Sequence, residues 1–223
     1  MTSECWIRSF ATEQAALSVP IERIPTNLFE QGWCVSDGFV SDASAAALAQ
    51  EARERYGSGA FHAAGIGAGA RHRRREDIRG DHVLWLDERD ATQAQRDCLA
   101  PFESLRLAAN RELQLGLFEF ECQLALYPRG ASYRRHLDGF AGDDSRVLSC
   151  VLYLNQAWQP ADGGQLRLHL PEQAGHVDVL PVAGRLVTFL SARFEHEVLP
   201  AQRDRLSLVG WFRARASTPA GAA

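Results

Sequence analysis

The chain has 223 residues, of which 46% are hydrophobic and 23% charged, and its 24 basic and 28 acidic residues leave a net charge of −4. This is the composition of an ordinary globular protein, and it excludes a disordered, collagen-like or coiled-coil chain. No apolar run reaches the roughly 18 residues of a membrane span, and charges interrupt the first thirty residues where a signal peptide needs an apolar stretch. We therefore expect a cytoplasmic protein with no membrane partner, and the negative charge gives no reason to expect nucleic acid.

The cysteine pattern and the length bear on domain organisation. The five cysteines are odd in number and form no CxxC pair, which argues against a disulfide framework and against a zinc finger. A chain of this length most simply forms one domain. We expect residues 1–115 to provide helical support, residues 116–213 to form a β-rich core, and residues 214–223, which end in ASTPAGAA, to be a flexible tail.

Helical periodicity occurs twice in the first half of the chain. Ser41 or Asp42 can cap a helix that places Ala and Leu on one face, and Asp90 can open a second helix. Pro101 should kink or divide that second helix. Between the two lies a Gly-rich and then Arg-rich stretch that ends in a short predicted strand, Val83–Leu86.

From residue 117 onward the hydrophobic period changes to two, which is typical of strands. Seven or eight short strands that follow a group of helices predict a jelly-roll barrel, the double-stranded β-helix, buttressed by N-terminal helices. After the strand that begins at residue 117, the predicted strands are Val147–Leu154, Gln165–Leu170, Val177–Leu180, Arg185–Phe189, His196–Leu199 and Arg205–Phe212.

One group of residues has the composition of a metal site. His136 and Asp138 are two residues apart, a spacing that directs both side chains to one face of a strand, although His176 and Asp178 have the same spacing. His196 follows Asp138 by 58 residues. Two imidazoles and one carboxylate are the facial triad of a non-haem Fe(II) site, which leaves three octahedral positions for a chelating cosubstrate and O₂. We interpret the His176 pair as ordinary strand residues.

Arg205 follows His196 by nine residues and shares a strand face with Ser207, Val209 and Trp211. Its planar, permanently charged guanidinium suits a carboxylate at the far end of the cosubstrate. An arginine that points into a barrel is costly unless an anion meets it there.

Five segments of the chain carry more specific motifs. They are IRGDHVLWL (Ile78–Leu86), YPRGASYRRHLD (Tyr127–Asp138), RVLSCVLYLN (Arg146–Asn155), the Trp158–Arg167 segment and HEVLPAQRDRLSLVGWF (His196–Phe212). In these motifs the sequence resembles the Fe(II)/2-oxoglutarate-dependent dioxygenases, and among them the prolyl hydroxylases of the oxygen-sensing type with their bacterial relatives. The resemblance implies hydroxylation of a prolyl residue in a protein substrate, with succinate and CO₂ as co-products. It also implies Fe(II), 2-oxoglutarate and O₂ as cofactors and cosubstrates, together with ascorbate.

The resemblance also implies roles for individual residues. His136, Asp138 and His196 match the iron ligands, and Arg205 matches the partner of the 2-oxoglutarate 5-carboxylate. The remaining cofactor residues are Tyr153, which assists at that carboxylate, Tyr127 in the cosubstrate pocket, Val151, Leu166 and Val198 against the methylenes, and Ser207. The expected substrate residues are Tyr133, Arg135, Arg146, Trp211, Arg79 and Asp81.

The arginine run Arg71–Arg75 could bind nucleic acid, but a solvated charge run or a mobile loop over the active site fits the overall charge better. We predict that Asp81 pairs with Arg146 and ties this loop to the barrel rim, which would place Arg79 and the arginine run beside a protein substrate. The alternative is an exposed, nearly neutral ion pair.

Two other functions stay open at this point. A free amino-acid or small-molecule hydroxylase would use the same iron site, and a non-catalytic jelly-roll binding module would keep the fold without needing both imidazoles and Arg205. Bacterial members of the resembling family are associated with a prolyl residue of elongation factor Tu, which makes that protein a candidate substrate.

Overall fold

The protein is described by a computed structural model that covers residues 20–65, 78–138, 145–171 and 175–214. Within these ranges it forms three α-helices and eleven β-strands. The helices are α1 (Ile24–Gln31), α2 (Asp42–Gly57) and α3 (Gln93–Leu113). The strands are β1 (Trp33–Ser36), β2 (His62–Ala63), β3 (His82–Trp85), β4 (Leu117–Tyr127), β5 (Tyr133–His136), β6 (Arg146–Tyr153), β7 (Leu166–Leu170), β8 (Gly175–Val179), β9 (Leu186–Leu190), β10 (His196–Val198) and β11 (Arg205–Ala214).

The two predicted helices form, with one boundary shifted. Ser41 caps α2 by accepting a hydrogen bond from the backbone N–H of Ser44. Thr92, rather than Asp90, caps α3 in a reciprocal capping box with Gln95, so the predicted start was wrong by two residues. Helix α3 continues through Pro101, so of the two expectations for this proline, a kink or a division, the division does not occur. Its buried face, which includes Phe102, packs against the sheet and holds the helix together across the missing hydrogen bond.

The strands form two antiparallel sheets, which confirms the predicted jelly roll. The larger sheet has the order β1-β9-β6-β11-β4-β3-β2, and the smaller one has the order β5-β10-β7-β8. The long strands β4, β6 and β11 form the middle of the larger sheet and pair over most of their length. The predicted strands agree with the observed ones to within two residues at their ends. The sequence pattern did not predict α1, β1, β2 or β5.

The middle of the larger sheet is buried on both faces, between which successive side chains of a strand alternate. On β6, for example, Cys150 and Leu152 face the helices, whereas Val151 and Tyr153 face the interior between the two sheets. The smaller sheet closes that interior with apolar residues such as Leu166. The four described cysteines are buried and free, in agreement with the absence of a disulfide framework. No helix in the described part of the chain has the length and apolar character of a membrane span.

Candidate active site

The predicted triad comes together where β5 meets β10. His136 ends β5, His196 begins β10, and the two residues are direct partners in the antiparallel ladder. Asp138 follows β5 by two residues. Its Oδ1 atom lies 3.8 Å from Nε2 of His136, and its Oδ2 atom lies 3.6 Å from Nε2 of His196. One ligand atom from each residue lies within 4.8 Å of the others, and no further cluster of this kind occurs among the described residues.

Backbone carbonyls orient both imidazoles toward a shared centre. Nδ1 of His136 lies 2.7 Å from the carbonyl oxygen of Arg134, and Nδ1 of His196 lies 3.2 Å from that of Phe194. A carbonyl oxygen only accepts, so each Nδ1 donates and each Nε2 keeps a free lone pair for a metal ion.

The charge states fit a divalent cation. Burial and the neighbouring His196 lower the pKa of His136 to about 3, so this imidazole is neutral. Burial alone would raise the pKa of Asp138, but the two imidazoles and a hydrogen bond from Ser149 lower it, so the carboxylate is ionised. Two imidazoles and one carboxylate are the donor set of a non-haem Fe(II) site, and the residues present therefore fit this metal.

Arg205 marks the other end of the site. It is buried, with 1% of its surface exposed, and its Nε donates to the carbonyl oxygen of Gly164 at 2.8 Å. Its Nη2 atom, the hydroxyl of Tyr153 and the Oγ of Ser207 are all buried without a hydrogen-bond partner among the described residues. The guanidinium carbon lies 5.2 Å from the ring centre of Tyr127 and 5.0 Å from that of Tyr153. A buried cation beside unpaired hydroxyls is costly unless an anion completes the arrangement, so this end fits a carboxylate.

The two tyrosines beside Arg205 are neutral hydrogen-bond donors. Burial raises the pKa of Tyr127 well above its ordinary value, and the charge of Asp81 acts in the same direction. Burial likewise raises the pKa of Tyr153, although the charge of Arg205 opposes the shift. Each hydroxyl therefore keeps its proton at neutral pH.

A cavity of about 240 Å³ connects the triad with Arg205. The apolar side chains of Val151, Leu166 and Val198 lie along it. Arg135, by contrast, does not line it: its exposed side chain pairs with Glu195. The predicted residues that line the cavity are His136, Asp138, His196, Tyr127, Val151, Leu166, Val198 and Arg205 from the metal and cosubstrate sets, and Arg79, Asp81, Tyr133, Arg146 and Trp211 from the substrate set.

The predicted pair between Asp81 and Arg146 was wrong. Asp81 is 1% exposed and is held by Arg79, whose Nε and Nη2 donate to its two carboxylate oxygens at 2.7 and 2.9 Å. Arg146 instead donates from Nε to Glu121 at 2.6 Å, and its guanidinium lies 3.7 Å from the ring centre of Trp211. The physical reason is proximity along the chain: Arg79 and Asp81 are two residues apart, so the guanidinium reaches both oxygens of the buried carboxylate. The arginine run Arg71–Arg75 lies outside the described residues.

The Arg79–Asp81 pair also supports a metal ligand. The guanidinium of Arg79 lies 4.7 Å from the ring centre of Tyr133, and that ring stacks on His136 with 3.6 Å between centres and 17° between planes. The ion pair, the tyrosine and the imidazole thus form one packed column beside the triad.

The competing His176 pair lies elsewhere. His176 is on β8, with Nε2 3.8 Å from Asp178, and Asp178 receives two hydrogen bonds from Arg167 on β7. The His176 contact lies within β8 and the Arg167 contact joins β8 to β7, as expected for ordinary strand residues.

Sequence reasoning missed several residues of the site. Trp85 lines the cavity although 47% of its surface is exposed, and its ring lies 6.1 Å from that of Trp211. Trp85 lies two positions after Val83 on β3, and this spacing could have indicated that both side chains lie on the face of the strand that lines the cavity. Ser149 was also missed; it donates to Asp138 and has no sequence signal of its own.

A jelly roll with a His-Asp-His cluster at one end of a cavity and an unpaired buried arginine at the other defines a 2-oxoglutarate-dependent Fe(II) oxygenase domain. Comparison with known proteins agrees, because residues 122–213 match the family model of the 2OG-Fe(II) oxygenase superfamily. The chain is 48% identical to a prolyl-4-hydroxylase from Pseudomonas putida, with a TM-score of 0.80 over 88% of this chain and 100% of that one. It is 31% identical to a prolyl hydroxylase from Trichoplax adhaerens, solved with a hypoxia inducible factor peptide fragment, with a TM-score of 0.76 over 86% of this chain and 90% of that one.

The curated relatives are longer proteins. The chain is 31% identical to the hypoxia-inducible factor prolyl hydroxylase of Caenorhabditis elegans, over 86% of this chain but 28% of that protein. It is 29% identical to human Egl nine homolog 1, over 90% of this chain and 49% of that protein. The chain thus spans about half or less of the length of these two relatives. It belongs to the prolyl hydroxylases of the 2OG-Fe(II) oxygenase superfamily.

Proposed function

We propose that the chain hydroxylates a prolyl residue of a protein substrate with Fe(II), 2-oxoglutarate and O₂. One oxygen atom of O₂ enters the substrate C–H bond as a hydroxyl group, and the other enters succinate as 2-oxoglutarate loses CO₂. The observation that carries this proposal is the single cavity with a metal-ligating triad at one end and the unpaired, buried Arg205 at the other.

The chain's residues divide into two groups around the cosubstrate. His136, Asp138 and His196 would hold the iron, which when bound supplies the activation of O₂. Arg205 would receive the distal carboxylate of 2-oxoglutarate on its free Nη2, and the unpartnered hydroxyl groups of the neighbouring residues would complete the contact. The cofactor residues at this end are Tyr127, Tyr153 and Ser207, with Val151, Leu166 and Val198 against the methylene groups.

The mouth of the cavity supports a substrate larger than 2-oxoglutarate. Trp211 and the half-exposed Trp85 form one wall, and Arg146, held by Glu121, lies over Trp211. Tyr133 and the Arg79–Asp81 pair form another wall next to His136. Aromatic faces of this kind bind a ring with little polar character, such as proline. The Trichoplax relative carries a peptide fragment, which supports a protein substrate here as well.

Elongation factor Tu is the first protein substrate that we would test, on the basis of the resemblance to bacterial prolyl hydroxylases. Arg135, which lies outside the cavity with Glu195, would contact only the flanks of such a substrate. Ascorbate binding, a cytoplasmic location and the organisation of residues 1–223 as a single catalytic domain stay predictions.

The test is a coupled assay. The protein is loaded anaerobically with Fe(II), exposed to air with 2-oxoglutarate, and supplied with proline-containing peptides, elongation factor Tu or free proline. The proposal expects succinate release that rises with a peptide or protein, and the gain of one oxygen atom on a prolyl residue by mass spectrometry. Oxygen incorporation into free proline alone would contradict the protein substrate, and succinate release without any oxidised substrate in the panel would leave prolyl hydroxylation unsupported.

A further inference from the structure

The carboxylate of Asp138 accepts a hydrogen bond from one buried serine, Ser149, which in turn contacts a second buried serine, Ser191. Oγ of Ser149 lies 2.7 Å from Oδ2 of Asp138, and Oγ of Ser191 lies 2.9 Å from Oγ of Ser149. Neither serine has any exposed surface. We propose that Ser149, supported by Ser191, is a positioning residue that sets the orientation of the Asp138 carboxylate for the metal ion. The inference rests on the metal-binding part of the proposed function and not on the identity of the substrate.

The direction of the hydrogen bonds follows from the chemistry of the three groups. An ionised carboxylate can only accept, so Ser149 must donate its single hydroxyl hydrogen to Oδ2. The oxygen of Ser149 is then an acceptor, and Ser191 must be the donor in the contact between the two serines. The relay therefore has one polarity, from Ser191 through Ser149 to the carboxylate.

The relay connects a metal ligand outside the strands to the rigid part of the barrel. Asp138 follows the end of β5, whereas both histidine ligands lie within strands and are oriented by backbone carbonyls. Ser149 lies on β6, which pairs with β9 on one side and β11 on the other, and Ser191 directly follows β9. Because Ser149 donates to Oδ2, it restricts rotation of the carboxylate that would hold the metal. The hydrogen bond from Ser149 thus fixes the orientation of Asp138, whose own backbone is not held in a strand.

A purely structural role makes a different prediction. If the two serines only provide each other with a buried hydrogen bond, Ser149→Ala lowers the stability of the metal-free protein. The affinity of the folded site for metal then stays unchanged. If Ser149 positions the carboxylate, the same change weakens metal binding even where the metal-free fold persists. Loss of a hydrogen-bonding partner of a metal ligand typically weakens metal binding by about 10–100-fold.

Thr188 offers a matched control. It is fully buried on β9, and its partner in the ladder is Cys150, the residue next to Ser149. Because side chains alternate along a strand, its hydroxyl lies on the opposite face of the sheet from Ser149. Thr188→Val therefore removes a buried hydroxyl from the same sheet without touching the relay.

The experiment is a calorimetric titration of the metal-free 223-residue chain with Mn(II), combined with thermal unfolding with and without the ion. We expect about 10–100-fold weaker binding in Ser149→Ala, a smaller loss in Ser191→Ala, and affinity close to that of the unmodified protein in Ser149→Thr and Thr188→Val. The increase in melting temperature that Mn(II) produces should shrink in the same order.

Two results would overturn the relay. In the first, folded Ser149→Ala and Ser191→Ala variants both bind Mn(II) as tightly as the unmodified protein. In the second, Thr188→Val loses as much affinity for Mn(II) as Ser149→Ala does. Failure of the unmodified protein to bind Mn(II) would instead contradict the metal centre itself, and with it the proposed function. Failure of the relay alone leaves the proposed function standing, because this titration does not depend on turnover.

Discussion

Arg205→Leu should separate ligand binding from stability more sharply than any other change in the site. The side chain of Arg205 is buried, its Nε donates to the carbonyl oxygen of Gly164, and its Nη2 has no hydrogen-bond partner among the described residues. Without this side chain, the distal carboxylate of 2-oxoglutarate would be buried without a charged partner. Breaking a buried ion pair in this way costs about 3–5 kcal/mol, which at about 1.4 kcal/mol per factor of ten is roughly two to four orders of magnitude in affinity.

The stability of the protein without cosubstrate should respond differently to Arg205→Leu. Since the change removes a buried charge that no carboxylate of the described residues neutralises, the melting temperature should stay the same or rise. Arg185 is the matched control, because it is also buried but is paired with Asp37 through two hydrogen bonds. Arg185→Leu should lower the melting temperature and leave the 2-oxoglutarate requirement nearly unchanged.

The assay is succinate release measured against 2-oxoglutarate concentration, with thermal unfolding of each cosubstrate-free variant alongside. Arg205→Lys should fall between the unmodified protein and the Leu variant, because an ammonium group supplies charge without the planar fork. An unchanged 2-oxoglutarate requirement in Arg205→Leu would refute the assignment. So would an equal rise in that requirement in the Arg185 control.

Three further predictions concern the surrounding structure. Arg79→Leu leaves the buried Asp81 carboxylate unpaired and should cost about 3–5 kcal/mol of unfolding free energy. Arg146→Ala breaks a more accessible pair with Glu121 and should cost about 1–2 kcal/mol. Equal losses of unfolding free energy for the two variants in urea denaturation would contradict the reassigned ion pairs. Burial lowers the pKa of His136 to about 3 from its ordinary value of 6.5. Because the unfolded chain therefore binds a proton at this imidazole first, the metal-free protein should lose stability as pH falls from 6.5 toward 3. His136→Asn should weaken this dependence, and an identical pH profile would argue against a neutral buried imidazole. Gly210→Ala places a methyl group 2.3 Å from the ring of Phe120, and that ring is packed against Phe102 and Phe212. The change should therefore cost about 1–3 kcal/mol of unfolding free energy. An unchanged chemical denaturation midpoint would show that Phe120 moves aside.

The long elements could be predicted from the sequence because their patterns are strong. Strand β4 alternates over eleven residues and α3 keeps one apolar face over 21, so a boundary error of a few residues does not change the assignment. Strands β2 and β5 have two and four residues, too few for any period to stand out. They form because β3 and β10 each offer a free edge for pairing, which is a property of the folded sheet.

The candidate site divides in the same way. His136, Asp138, His196 and Arg205 are recognisable from residue type and spacing because the chemistry of the metal and the carboxylate restricts which side chains can serve. The ion pair of Asp81 and the hydrogen bond from Ser149 depend on which groups lie within reach after folding. Many polar residues are compatible with either contact, so only the structure identifies the partners.

A crystal structure of the protein with Mn(II) in place of Fe(II) and with 2-oxoglutarate, grown without O₂, tests the central claim most directly. The account predicts one metal ion ligated by His136, Asp138 and His196 at about 2.0–2.3 Å. It also predicts the distal carboxylate of 2-oxoglutarate on Arg205, in the same cavity. A metal ion bound elsewhere, or a cosubstrate whose carboxylate leaves Arg205 unpaired, would contradict it.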